Sequence, residues 1–258
     1  MSNKQINTEQ GHWILAKMGK KVLRPGGKEL TLKLIDNLKI RGSDDIVEFA
    51  PGMGYTASVA MTKHPKSYTG VELNEEAANN LRKIINGKNC RIITGNAADS
   101  TLGENSADKV YGEAMLTMQA DHRKSEIIRE AHRILKKGGL YGMHELGLFP
   151  NDLGEDVKSE IQKQLAQTIK VNGRPLTQVE WTALLEKEGF KIVSVETNPM
   201  SLLESKRVID DEGFLRTLKI VFNILTHPKE RKRILEMRKT FRKYQDHLNA
   251  IAIVAEKY

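Results

Sequence analysis

Apolar positions along this chain follow two periods. Short apolar or β-branched runs over 45–50, 67–73, 90–94, 108–112, 139–145, 190–195 and 248–255 have the length and composition of strands. Between them apolar residues recur every three or four positions: Leu30, Leu34 and Leu38; Ala77, Ala78, Leu81 and Ile84; Ile127, Ile128, Ala131 and Leu135. That spacing lines one face of a helix. A strand, a helix and another strand in succession imply a crossover, so the pattern predicts parallel strands covered by helices. Further helices are expected over 4–23, ended by Arg24-Pro25-Gly26-Gly27, and over 154–170. Thr177 and Glu180 form a capping-box pattern ahead of Trp181, Leu184 and Leu185. Residues 205–246 read as mostly helical, ahead of the last strand. The expected α/β fold is a doubly wound, mostly parallel seven-stranded sheet. Its parts are an N-terminal helical cap over 1–41, a ligand-binding core over 42–150, and a C-terminal half over 151–258 carrying the helical insertion 205–246.

In such a sheet ligands bind at the carboxyl ends of the strands. Glu48, Glu72 and Asn96 all fall at such ends. After Glu48 comes Phe49-Ala50-Pro51-Gly52-Met53-Gly54, where glycines let a ligand approach the backbone. Gly52-x-Gly54-x-x-Ala57 fits a dinucleotide fingerprint, with Glu72 at the distance of a ribose-binding acid. Glu48 argues against a pyrophosphate there, since an ionised carboxylate repels it by about 1 to 4 kcal/mol at close range. A cationic ligand is attracted instead. S-adenosylmethionine has an ammonium, a sulfonium and no phosphate, and Glu72 suits its ribose hydroxyls.

Glu48-Phe49-Ala50-Pro51-Gly52-Met53-Gly54 resembles the E/D-x-G-x-G-x-G motif of class I, Rossmann-like S-adenosylmethionine-dependent methyltransferases, of a small-molecule "type 11" kind. Ala50 stands in place of the motif's first glycine. Gly70-Val71-Glu72-Leu73 is similar to the end of that family's second strand, and Thr94-Gly95-Asn96-Ala97-Ala98 to its adenine-contacting motif. Asn96 replaces a common aspartate. Ser106–Tyr111 resembles the entry to the fourth strand, and Arg129–Gly139 resembles E-x-x-R-V-L-K-P-G-G, with Lys137 for the proline. The ordered set covers roughly residues 40 to 150. The resemblance implies S-adenosylmethionine as cofactor. It assigns cofactor contacts to Glu48, Ala50, Pro51, Gly52, Gly54, Glu72, Leu73, Asn96, Ala97, Gly112 and Glu113. It also implies an antiparallel last strand, preceded in the family by a short hairpin where this chain has its helical insertion.

Methyl transfer requires in-line approach, and ordering two reactants supplies about 7 to 11 kcal/mol. A general base is needed only when the acceptor arrives protonated. The candidates are Glu113, His122, His144 and Glu145, with His144-Glu145 read as a pair at the end of the fifth strand. Arg24, at its Pro-Gly-Gly turn, is expected to pair with the cofactor's carboxylate. Tyr111-Gly112-Glu113-Ala114-Met115 lacks the N/D-P-P-Y/F motif of amino-directed nucleic-acid and protein methyltransferases. The seven histidines show no metal-binding spacing, so no metal is expected.

Composition narrows the setting. Hydrophobic residues make up 39% and charged residues 29%, the lone cysteine is Cys90, and no apolar run approaches a membrane span. The polar start carries no secretory core, so a cytoplasmic location is expected. The net charge is +8. Residues 1–41 hold nine Lys and Arg against three acids, and residues 229–243 hold eight against two. Positive charge therefore lies outside the core, where it suits an anionic small-molecule substrate or a nucleic acid. The leading expectation is methyl transfer to a small molecule. The alternatives are an RNA or other polymer methyltransferase using the basic 229–243 helix, an NAD-dependent oxidoreductase, and a non-catalytic S-adenosylmethionine-binding protein. Few aromatics accompany the basic residues, so a base-stacking platform is not expected.

Overall fold

The structure is a computed structural model that describes residues 10–258. The first part of the helix expected from residue 4, and of the 1–41 cap, lies outside the described residues. The strands are β1 Asp45–Phe49, β2 Ser67–Glu72, β3 Cys90–Thr94, β4 Ala107–Glu113, β5 Leu135–Leu148, β6 Leu176–Thr177, β7 Phe190–Pro199 and β8 Leu248–Lys257. The helices are α1 Gly11–Lys17, α2 Gly27–Asn37, α3 Tyr55–Met61, α4 Glu75–Ile84, α5 Asp121–Ile134, α6 Glu155–Ile169 and α7 Gln178–Lys187, followed by α8 Ser205–Glu212, α9 Phe214–Thr226 and α10 Pro228–Lys243.

The sheet runs β3-β2-β1-β4-β5-β8-β7, with β6 paired to β5. Pairings are parallel except that β8 is antiparallel to both β5 and β7. Seven strands follow the expected plan. The eighth, β6, is two residues long and adds to the far end of β5. The order reverses between β1 and β4, so the loops after these strands diverge to opposite sides and leave a crevice at their carboxyl ends.

Alternation along the strands sends side chains to two faces. Val47, Phe49, Val71, Val110, Tyr141 and Met143 pack with Ile127, Ile128 and Ala131 of α5 and with Trp181 and Leu185 of α7. Ile46, Tyr68, Tyr111 and Leu140 pack on the other face with Leu30 and Leu34 of α2, Ala57 and Ala60 of α3, and Leu81 of α4. Glu48, Glu72, Glu113 and His144 share the parity of the second set, so all four belong to the α2–α4 face.

One helix boundary differs from the pattern. The first helix ends at Lys17 rather than 23. Gly19 turns the chain with φ of 104°, and residues 18–26 then run as a loop. No helix joins β3 to β4; residues 95–106 connect them. The insertion is helical as expected and builds its own core: Ile220, Ile234 and Met237 pack with Ile14, Leu15 and Met18 of the α1 region. The capping box is present, with Thr177 Oγ1 accepting from the Glu180 amide and the Glu180 carboxylate from the Thr177 amide.

Candidate active site

The loop after β1 is built by three left-handed residues. Ala50 has φ of 51°, Gly52 of 56°, and Gly54, which opens α3, of 76°. A side chain at Gly54 would meet Leu81 Cδ2 at 2.8 Å, so this glycine lets α3 close on α4. A Cβ on Gly52 would meet nothing nearer than the Ala50 carbonyl at 3.9 Å, so the loop leaves open space there. The Glu72 carboxylate accepts from the Gly52 amide at 3.0 Å and from the Asn74 amide at 2.9 Å. Burial raises its carboxyl, and those backbone donors oppose the rise. Beside it Leu73 is 69% exposed and Met53 45% exposed, two apolar side chains at the mouth. Asn96 Oδ1 accepts from the Ala98 amide at 3.0 Å and from Arg123 at 3.3 Å, while Ala97 packs into the core. Ala50 binds β2 through its amide to the Val71 carbonyl at 2.9 Å, and Pro51 accepts from the Gly54 amide at 3.0 Å. Gly112 pairs with Phe49, and a Cβ there would sit 2.9 Å from Met115 Sδ.

Glu113 lies at the end of β4, in the crevice. It accepts from Arg24 Nε, from the Thr31 hydroxyl at 2.7 Å, from the Thr56 hydroxyl and from His144 Nδ1 at 2.8 Å. Burial alone would raise its carboxyl, but Arg24, His144 and Thr56 hold it well below the usual carboxylate range. A carboxylate so saturated is ionised but is a poor proton acceptor, so the expectation of a base at Glu113 is corrected to an anchor. His144 is committed likewise. Its Nε2 accepts from the Gly26 amide at 3.1 Å, which leaves the proton on Nδ1, facing Glu113.

Glu145 does not join His144. Adjacent residues of a strand point to opposite faces, and Glu145 lies on the α5 side. There it accepts from the Met115, Leu116 and Thr117 amides at 2.8 to 3.0 Å and from the Thr117 hydroxyl at 2.7 Å. It organises the turn after β4 and is fully buried, so the expected catalytic role is corrected to a structural one. β5 also runs on to Leu148, so neither residue stands at its end. His122 is exposed at the start of α5.

Glu48 is buried, with Oε2 accepting from the Tyr68 hydroxyl at 2.7 Å and the Tyr111 hydroxyl at 3.1 Å. Burial pushes its carboxyl up to about 7; the Tyr68 hydroxyl and Arg24 pull it down, and Glu113 adds to the rise. In the sequence Glu48 counts as a full negative charge at the strand end. Its repulsion of a pyrophosphate is weaker than that, because near neutral pH the group is partly protonated.

Arg24 is delivered by the loop between α1 and α2. Its Nε is engaged by Glu113 and its guanidinium lies 5.4 Å from the Tyr55 ring centre. Only its Nη atoms remain for another carboxylate, which narrows the expected contact. The insertion secures this loop. Asp211 meets buried Lys20 at 3.3 Å and accepts from the Lys28 amide at 2.8 Å, and Glu212 accepts from the Lys21 and Val22 amides at 2.7 and 2.8 Å. Gly27, with φ of 65°, leaves room for Asp211. Sequence reasoning missed Thr31, Thr56, Tyr68, Tyr111 and the Asp211–Glu212 pair. The alternation of β1, β2 and β4 places the two tyrosines with Glu48, but no local signal announces the others.

The basic helix 229–243 is partly neutralised. Arg238 and Arg242 both grip Glu204, Lys243 meets Glu160, and Arg233 meets Glu236. That removes four of its cations from an RNA-binding surface.

The model of a family described as "Methyltransferase domain" matches residues 47–143. An uncharacterized protein of Haemophilus influenzae is 34% identical, with 96% of this chain and 98% of that protein covered. Among solved structures, phosphoethanolamine N-methyltransferase 2 of Haemonchus contortus in complex with S-adenosyl-L-methionine superposes with a TM-score of 0.73 at 16% identity, covering 98% of this chain and 58% of that one. A geranyl diphosphate methyltransferase in complex with the same cofactor gives 0.64 at 15% identity, covering 89% and 85%. At such identities the likeness is one of fold.

Proposed function

Because the chain has the class I, Rossmann-like methyltransferase fold with a type 11-like methyltransferase domain, we propose that it transfers a methyl group from S-adenosylmethionine to a small molecule. A methyltransferase domain over residues 47–143 speaks against the NAD-dependent oxidoreductase alternative. The observation that carries the proposal is the cradle between Gly52 and Glu72: open space over a left-handed glycine, an acid at the next strand end, and exposed apolar Leu73 and Met53 beside it. An acid for two ribose hydroxyls and an apolar wall for a base are what an adenosine requires. Glu72 would take the ribose, Leu73 and Asn96 the adenine edge, and Arg24 Nη the methionyl carboxylate. Bound there, the cofactor supplies an electrophilic methyl group on a sulfonium.

The residues of the chain orient rather than deprotonate. Glu113 and His144 are both saturated by hydrogen bonds, and Glu145 lies on the other face of the sheet. This favours an acceptor that is already nucleophilic at neutral pH, such as a thiolate or a weakly basic amine, over an alkyl alcohol. The solved relatives named for phosphoethanolamine and geranyl diphosphate act on small anionic molecules, which accords with a small-molecule acceptor.

Calorimetry with S-adenosylhomocysteine tests the cofactor site. Binding in the micromolar range is expected, and Glu72→Ala should weaken it about tenfold or more, as loss of a charge-assisted hydrogen bond of about 1.5 to 3 kcal/mol requires. No binding by the folded protein would end the proposal. A Glu72→Ala variant that binds normally would remove the ribose assignment.

A further inference from the structure

We propose that the outer face of α9 and α10 is a docking surface for an anionic lipid bilayer. This interaction is independent of the chemistry proposed for the crevice. Phe214, Leu215, Leu218, Val221, Phe222 and Leu225 recur at helical spacing along α9 and are all exposed, Leu215 by 81% and Phe222 by 65%. The opposite side of the same helix buries Ile220 in the core that the insertion shares with the α1 region. The helix therefore has two apolar faces, and only one is covered. Single exposed apolar residues are ordinary on a protein surface, but six on one helical stripe mark a place of contact.

Charge identifies the occupant. Residues 214–243 contain ten Lys and Arg and two acids, a net +8 that equals the charge of the whole chain, so the rest of the protein is neutral. Lys219, Lys229, Arg231, Lys232 and Lys239 are exposed and have no carboxylate partner among the described residues. A second copy seated on the stripe would bring two such surfaces together. A bilayer offers hydrocarbon to the stripe and phosphate to the lysines, which is the complement of both features. α9 has thirteen residues and, among the described residues, no helix is long and apolar enough to cross a membrane. The geometry is that of a helix lying in the headgroup region.

Vesicle sedimentation of the full chain tests this. Binding to vesicles containing phosphatidylglycerol is expected at least about tenfold tighter than to pure phosphatidylcholine, and it should fall as salt is raised. The double variant Leu215→Ser, Phe222→Ser should lose about tenfold or more, with circular dichroism unchanged. As a gain of signal, Phe222→Trp should show a blue-shifted emission component on adding the anionic vesicles. Absence of vesicle binding would overturn the proposal, as would binding indifferent to Leu215 and Phe222. So would a concentration-dependent dimer abolished by the same double variant, because that assigns the stripe to a second copy. Salt-sensitive binding to RNA without vesicle binding would overturn it too.

Discussion

At the scale of single residues, the crevice holds two carboxylates with opposite tuning. Glu113 has four donors and is held ionised, whereas Glu48 has two phenols and is pushed up to about 7. The difference is the number of cations and donors within reach, not depth, because both are buried. Their effects on stability have opposite signs. Glu48 has a folded pKa above its unfolded value, so its contribution is full below pH about 4.5 and is lost as pH rises through about 7. Glu113 has a folded pKa below its unfolded value, so its contribution is present above the unfolded value and is lost as the pH falls. Glu48→Gln should therefore flatten the decline in stability between about pH 5 and 7.5, on the order of 3 kcal/mol in wild type. Urea unfolding at the two pH values measures this. A slope unchanged by the substitution would mean that Glu48 does not titrate in that window.

At the scale of elements, the strand-loop-helix unit of β1 and α3 shows why the family's first glycine occurs where it does. Ala50 adopts φ of 51°, a conformation in which a Cβ crowds the following carbonyl at a cost of about 1 to 2 kcal/mol. In the sequence the replacement of glycine by alanine looks like a change of size; in the structure it is a change of backbone strain. Ala114, after β4, is strained in the same way at φ of 52°, so both loops bordering the crevice store strain. Ala50→Gly should stabilise the protein by roughly 0.5 to 1 kcal/mol, since relief of strain exceeds the added freedom of the unfolded chain. Thermal unfolding reads this as a higher Tm. A lower Tm would show that the surrounding packing, not the backbone, sets the balance. α7 gives the complementary case, in which local sequence sufficed: Thr177 and Glu180 make the capping box that their spacing announces.

At the scale of the whole molecule, α1 and the helical insertion form a second small core, tied by charge to the loop between α1 and α2. Lys20 is 2% exposed and stands against Asp211 and Glu212, which also hold the amides of the loop that carries Arg24. Lys20→Ala leaves Asp211 buried without its cation and Glu212 with Arg216 alone at 3.8 Å, and a loss of about 3 to 5 kcal/mol is expected. Hydrogen exchange should then quicken first in α8 and in residues 20–28, before the sheet. Exchange that rises evenly over the protein would mean that cap and core are one cooperative unit.

The sequence by itself determined seven of the eight strands, their order along the chain, the glycine loop and the capping box, because each rests on periodicity or on the steric needs of a few adjacent residues. It also located the acids Glu48 and Glu72 at strand ends. Only the tertiary structure decided what those groups meet. Alternation separates His144 from Glu145, the loop from α1 brings Arg24 to Glu113 across 89 positions, and the insertion closes on that loop through Asp211 and Glu212. Such partners are set by how distant segments pack, and local patterns carry no record of that. The stripe on α9 is the same lesson in reverse: its apolar spacing is plain in the sequence, but only the packed cap shows which of its two faces is left uncovered.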